Sequence, residues 1–304
     1  MAELRHTESA RISQLEAEHV VGRSPKCELR LASAQVSSQH ALVRWNGSSW
    51  EVKDLGSRNG TFLDGVPLSP AREYSLQVGA QLRFGDSTED WALTDDSPPQ
   101  VMATAADGSA TLRADGAILA VPSVDHPEVT LYRGKDGHWL LERDDAVLSI
   151  ENHDVFEAAG QTWRFCCPSL VPKTQAVEQP LEIRDAELWF GVSSDEEHVE
   201  LHVRSAGKEI DLGSRTHNYL LLTLARARLE EVARGLPDPL CGWTYQDDLL
   251  RALGVEASQL NIDVFRIRKQ FTSLGFLDAA NVIERRPRTK QLRVGVTRLQ
   301  VARI

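Results

Sequence analysis

The chain has 304 residues, 41% hydrophobic and 26% charged, a balance that excludes wholesale disorder, a collagen-like repeat and a disulfide-stapled miniature. At one domain per ~100 to 200 residues, two or three domains are expected. The net charge of −10 hides a split: residues 1–203 carry 17 Lys and Arg against 33 Asp and Glu, residues 204–304 carry 17 against 11, and from Asn261 onward the count is 10 against 3.

In chain order, residues His19 to Leu93 read as short strands, such as Ala41-Leu42-Val43-Arg44-Trp45 and Trp50-Glu51-Val52-Lys53, bounded by Asn-Gly, Ser-Gly and Asp-Gly type turns. Strands at that spacing predict a β-sandwich. Asp95 to Gln100 is a Pro-rich linker, Val101 to Leu170 is a second strand-rich stretch, and Val171 to Pro180 is a second linker. Leu42, Arg44 and Trp50 recur as Leu131, Arg133 and Trp139 at identical spacing, and Gln81, Arg83 and Phe84 are echoed by Gln161, Arg164 and Phe165. The middle stretch is therefore either a decayed copy of the first, shortened where the first holds Ser57-Arg58-Asn59-Gly60, or an unrelated pair of hairpins.

After Leu181 the period changes. Leu220, Leu221, Leu224 and Ala227 mark an amphipathic helix, a second helix covers Asp247 to Leu253, and a third runs from about Ser258 to Leu274 with a core stripe of Leu260, Val264, Ile267, Phe271 and Leu274. Arg266 and Lys269 lie broadly opposite that stripe and Arg268 flanks it. Val282 to Val294 reads as two strands joined by a basic tip. Three helices and a basic hairpin predict a winged helix-turn-helix, so the fold class is multidomain: an all-β sandwich, a β-rich middle segment and a C-terminal α+β winged helix.

The apolar run Tyr219 to Ala225 is far shorter than the ~20 residues of a spanning helix, and the start MAELRHTES lacks a secretory core; a cytoplasmic protein with no membrane partner is expected. Cys27, Cys166, Cys167 and Cys241 form no Cys-x-x-Cys pair, which points to reduced thiols and to no metal. No His-Glu-x-x-His, Gly-x-Ser-x-Gly or Ser-x-x-Lys is present, so no catalytic residues, no cofactor, no small-molecule substrate and no enzyme are expected.

Three blocks carry a family resemblance: Val20-Val21-Gly22-Arg23-Ser24-Pro25, Val36-Ser37-Ser38-Gln39-His40-Ala41, and Asp54-Leu55-Gly56-Ser57-Arg58-Asn59-Gly60-Thr61 continuing to Gly65. In order and separation they resemble the signature of forkhead-associated (FHA) domains, β-sandwiches whose loops at one end bind phosphothreonine peptides. The resemblance implies that Arg23 and Ser37 hold the phosphate, that Arg58 assists, and that Asn59 bonds the peptide backbone; Ser38 stands where many members have a basic residue. Gly22, His40 and Gly60 would be structural. Planar guanidinium forks and hydroxyl donors suit a phosphate dianion.

Residues 182 to 298 resemble the winged-helix output domains of bacterial response regulators, carried by Leu260-Asn261-Ile262-Asp263-Val264-Phe265-Arg266-Ile267-Arg268-Lys269-Gln270-Phe271 and by the hairpin Ile283 to Val296. Phe265 departs from that pattern, the hairpin lacks the usual Gly-Tyr-Arg ending, and Arg228 to Pro239 reads as a long insertion between the first two helices. The resemblance implies duplex DNA as partner, with Arg266 on a base edge and Arg268, Lys269, Arg285, Arg286, Arg288 and Lys290 on phosphates. For Arg268, its place beside the stripe also suits an internal ion pair.

Together these imply an FHA domain over 1–97, a β-rich domain over 101–170 and a winged helix over 181–304. The function expected is a phosphothreonine-dependent bacterial transcription regulator served by a serine/threonine kinase; the alternative is a signalling scaffold whose winged helix meets protein. Opposite charges suggest that the acidic part of the chain shields the basic end.

Overall fold

Alternating apolar residues build the first unit. In Trp50–Asp54 the side chains of Trp50, Val52 and Asp54 turn inward while Glu51 and Lys53 turn out, as the two-residue period of a strand requires. A computed structural model describes residues 2–9, 11–85, 89–134, 136–143, 146–168 and 181–304. The described chain forms two units, residues 2–101 with 166–168, and residues 102–165 with 181–304. The expected linker Val171 to Pro180, including Thr174, lies outside the described residues.

In the first unit a six-stranded sheet, in the order Ile12–Gln14, Glu3–His6, Asp90–Asp95, Gln81–Phe84, Thr61–Leu63, Val66–Pro67, faces a five-stranded one in the order Leu29–Arg30, Glu18–Gly22, Ala41–Trp45, Trp50–Asp54, Glu73–Leu76. Leu82, Phe84, Trp91 and Leu93 from one sheet pack with Val21, Val43, Trp50 and Val52 from the other. Strands begin at Glu3, well before His19, because Leu4 is a core residue of the edge pair.

The second unit starts with two four-stranded sheets. One has the order Thr111–Arg113, Met102–Ala105, Gln161–Cys166, Val155–Ala158; the other is a meander of Ile118–Pro122, Pro127–Arg133, Trp139–Arg143 and Ala146–Ile150. The residue match to the first unit does not carry into register. Trp45 faces Trp50 in one hairpin, whereas Arg133 faces Trp139 in the other. That is a slip of one residue against the sequence alignment, and a one-residue slip exchanges faces. Burial differs as well: Trp50 and Leu131 are buried while their counterparts Trp139 and Leu42 are half-exposed, and four successive residues, Val129 to Tyr132, are buried in the second hairpin.

The remainder of this unit has a four-stranded sheet in the order Lys208–Ser214, Val199–Ser205, Glu187–Val192, Arg298–Arg303, the last pair parallel. Helices α1 (Asn218–Ala233), α2 (Gln246–Leu253) and α3 (Ala257–Ser273) follow, with a three-stranded sheet of Thr244–Tyr245, Gln291–Val294 and Ile283–Arg286. Leu220, Leu224, Leu249, Leu260, Val264 and Phe271 share a core with the strands. Much of the expected insertion Arg228 to Pro239 is helix, since α1 runs to Ala233. Arg228 holds it there: its buried guanidinium donates to the Val294 carbonyl at 2.6 Å and to Asp238 Oδ1 at 2.5 Å.

Candidate functional site

At one end of the first sandwich the three motif blocks are tied together by backbone and buried side chains. Arg23 N donates to the Ser37 carbonyl at 2.9 Å and Ser24 N to the Ser38 carbonyl at 3.0 Å. This approach requires a glycine before Arg23, because a Cβ on Gly22 would lie 2.4 Å from the Ser38 carbonyl oxygen and 2.9 Å from Cys27 Sγ.

His40, fully buried, binds the third block to the second. Its Nδ1 accepts from Ser37 N at 3.1 Å and its Nε2 donates to the Gly60 carbonyl at 3.0 Å, a pairing that fixes the neutral tautomer. Burial pushes its pKa below the usual histidine value, against the opposing pull of the Gly60 carbonyl and Asp54. Gly60 itself sits at φ +77°, in the left-handed region that glycine enters without strain.

Asp54 shapes the loop from below. Its Oδ1 accepts from Gly56 N and Ser57 N, both at 2.9 Å, and its Oδ2 from Ser57 Oγ at 2.6 Å and Thr61 Oγ1 at 2.7 Å. Burial opposes ionisation, but these bonds outweigh it and hold the carboxyl below the usual aspartate range. Asp54 was absent from the expected site residues, although Asp-x-Gly-Ser is a recognisable Asx-turn signal.

The rim that results is rich in donors. Arg58 N donates to Ser37 Oγ at 3.1 Å, leaving the Ser37 hydroxyl hydrogen available. Asn59 Nδ2 donates to Gln35 through both its carbonyl and Oε1 at 2.8 Å, a latch with no sequence signal. The side chains of Arg23 and Arg58 are exposed and make no hydrogen bond or ion pair among the described residues, and Ser38 is exposed beside them. Guanidiniums without internal counter-ions, next to hydroxyl and amide donors, suit a multiply charged oxyanion.

The expected DNA contacts are distributed differently. Arg266 and Lys269 lie on α3 but pair with Asp125 at 3.7 Å and Asp115 at 3.1 Å. Arg268, expected on a phosphate, is instead 2% exposed, and the side chain of Arg285 is 7% exposed. Arg268 Nη1 lies 3.1 Å from both carboxylate oxygens of Glu142, while its Nε and Nη2 donate to the Ala280 and Ile283 carbonyls at 3.0 Å. Arg285 Nε lies 3.3 Å from Glu142 Oε1. The flanking position of Arg268 turned it inward, and burial of a carboxylate across from it made the ion pair.

Burial opposes ionisation of Glu142, yet Arg268 and Arg285 keep its pKa low; burial pushes the adjoining Tyr132 phenol up to about 12. At the hairpin, the Arg286 guanidinium stacks on Trp243 at 3.9 Å, and Arg288 and Lys290 are exposed. Among the described residues no three His, Cys, Asp or Glu side chains are grouped to hold a metal, and no helix is long and apolar enough to cross a membrane.

The sandwich and the motif-bearing loops at one end define the class of module. Residues 19–85 match the family model described as the FHA domain, and the chain carries an FHA domain in its N-terminal part. Over 76 residues the chain is 37% identical to the FHA domain-containing protein FhaB of Mycobacterium tuberculosis, which is 25% of this chain and 48% of that protein. It is 35% identical over 80 residues to FhaA of the same organism, 26% of this chain and 15% of that one. The chain thus spans about half the length of the first of these relatives. A solved structure of Mycobacterium tuberculosis EmbR in complex with a low affinity phosphopeptide is 26% identical, covering 32% of this chain and 25% of that one, with a TM-score of 0.29.

Proposed function

We propose that the N-terminal module reads a phosphothreonine in a partner protein, a substrate of a serine/threonine kinase, and that residues 181–304 are a winged helix that meets duplex DNA, so that the chain is a phosphorylation-dependent regulator of transcription. Arg23, Ser37, Ser38 and Arg58 receive the phosphate and Asn59 the peptide backbone; Gly22, His40 and Gly60 hold the frame. The observation that carries the first half is the pair of exposed guanidiniums, Arg23 and Arg58, on loops locked together by His40 and Asp54. Charge-assisted bonds to phosphate from such groups are the recurrent means of phospho-motif recognition.

The DNA half is supported by the order of three helices and a basic hairpin and by the excess of 10 Lys and Arg over 3 Asp and Glu from Asn261 onward. The test is titration of the full chain with phosphothreonine and unphosphorylated peptides, and with mixed-sequence duplex DNA across a salt series. Phosphate-independent peptide binding rejects the first half; no DNA binding at low salt, by the full chain or by D115N/D125N, rejects the second. One observation favours a second reading, a scaffold that uses its winged helix for protein contacts: the charged face of α3 already meets protein, through Glu142, Asp115 and Asp125.

A further inference from the structure

We propose that residues 102–165 are an intramolecular competitor of DNA: their acidic face occupies the surface of α3 and the basic hairpin that duplex DNA needs, so docking and DNA binding exclude each other. This rests on the DNA reading above and locates its regulation.

Helix α3 has two packed stripes, one belonging to its own core and one, of which Phe265 and Arg268 are buried and Lys269 and Thr272 half-exposed, facing elsewhere. Leu260, Val264, Ile267 and Phe271 pack with α1, α2 and the strands. The other stripe, Phe265, Arg268, Lys269 and Thr272, repeats at three- and four-residue intervals and so shares one face. Phe265 is buried with Ile118, Ala120 and Tyr132. Thr272 lies against Gly116, where a built Cβ would be 2.5 Å from Thr272 Cγ2. Every basic side chain of the expected recognition helix is answered by a carboxylate of the same segment: Arg266 by Asp125, Arg268 by Glu142, Lys269 by Asp115.

Glu142 takes the place a phosphate would take. It collects one guanidinium from α3 and one, Arg285, from the strand leading to the basic tip, the two elements that straddle a DNA backbone in a winged helix. Residues 102–165 carry 5 Lys and Arg against 11 Asp and Glu, so the segment presents a polyanion's sign. Arg268 does not depend on Glu142 for its position, because the Ala280 and Ile283 carbonyls hold the other side of its fork. The ion pairs of this contact are separable, since both partners regain solvation when apart, and phosphate can replace the carboxylate as counter-ion; the apolar part, Phe265 against Ile118, Ala120 and Tyr132, is what undocking has to expose.

The test uses the full chain and a mixed-sequence duplex at low salt. The built Cβ of Gly116 is 4.0 Å from Thr272 Cβ, within the range a disulfide bridges, so the double variant G116C/T272C locks the docked state on oxidation. Wild type carried through the same oxidation controls for the native thiols. The oxidised variant is expected to lose DNA binding, reduction to restore it, and excess DNA to slow the cross-linking. Independently D115N/D125N, which removes two exposed rim pairs, is expected to bind DNA roughly 3- to 10-fold more tightly than wild type.

Equal binding by oxidised and reduced protein, or no gain in D115N/D125N, overturns the competitor while leaving the DNA reading intact. Gly116 sits at φ +64°, where a cysteine is strained, so failure of the disulfide to form in a double variant that melts as wild type does overturns the docked geometry. Absence of DNA binding by every variant removes the DNA reading itself, and the competitor with it.

Discussion

The His40 imidazole spans the two loops of the N-terminal site, with Nε2 3.0 Å from the Gly60 carbonyl and Nδ1 accepting from the Ser37 amide. One neutral ring thus fixes the separation between the strand-end arginine and the loop that carries Arg58 and Asn59.

His40→Ala is expected to destabilise the first unit by about 2 to 4 kcal/mol, because it opens a cavity and removes the acceptor of the Ser37 amide, while the Gly60 carbonyl keeps only its bond from Gly85 N. Urea denaturation measures this. Phosphopeptide binding is expected to weaken along with stability.

Stability should also depend on pH with a definite sign. The folded-state pKa of His40 lies below its ordinary value, so its contribution is complete above about pH 6.5 and declines as pH falls through that region. Asp54 is likewise depressed, and its share is lost only as pH drops below about 4. Denaturation midpoints at pH 7.5, 5.5 and 3.5 should fall in two steps; a midpoint flat down to pH 3.5 contradicts both assignments.

Arg23→Ala, Ser37→Ala and Asn59→Ala should separate recognition from folding. Loss of one charge-assisted bond is worth about 1.5 to 3 kcal/mol, so Arg23→Ala should weaken phosphopeptide binding by roughly 10- to 150-fold at an unchanged melting temperature. Calorimetric titration beside thermal melting checks this.

Gly22→Ala tests the close approach behind Arg23. With the new methyl 2.4 Å from the Ser38 carbonyl oxygen, one of the two strands must move, at a cost of about 1 to 3 kcal/mol. A melting temperature equal to that of wild type would show that the loops are not locked as described.

If the hairpin tip lies on the DNA backbone, Arg288→Ala and Lys290→Gln should each lower the slope of log affinity against log salt by about 1, uniformly across sequences. Unchanged slopes would place the tip away from the duplex.

The N-terminal site was legible because its signals are short-range. Gly22 before Arg23 and His40 after Ser37 lie in short motif blocks, and the β-sandwich follows from period-2 runs; the role of Asp54 and the reach of His40 to the Gly60 carbonyl, twenty positions away, came only with the fold. The helices were legible for the same reason, apart from the end of α1, where Arg228 is held by Asp238 and the Val294 carbonyl. The equal spacing of Leu42, Arg44 and Trp50 with Leu131, Arg133 and Trp139 does not extend to register, since spacing in sequence does not fix which residues pair across a hairpin.

By itself the sequence determined the motif loops, the core stripe of α3 and the segregation of charge, all set by local sterics and periodicity. Only the tertiary structure decided where the charges of α3 go. Glu142 stands 126 positions from Arg268, and no local pattern specifies that partner. Burial of Phe265 beside it turns the face that composition assigned to an external polyanion toward a carboxylate of the same chain.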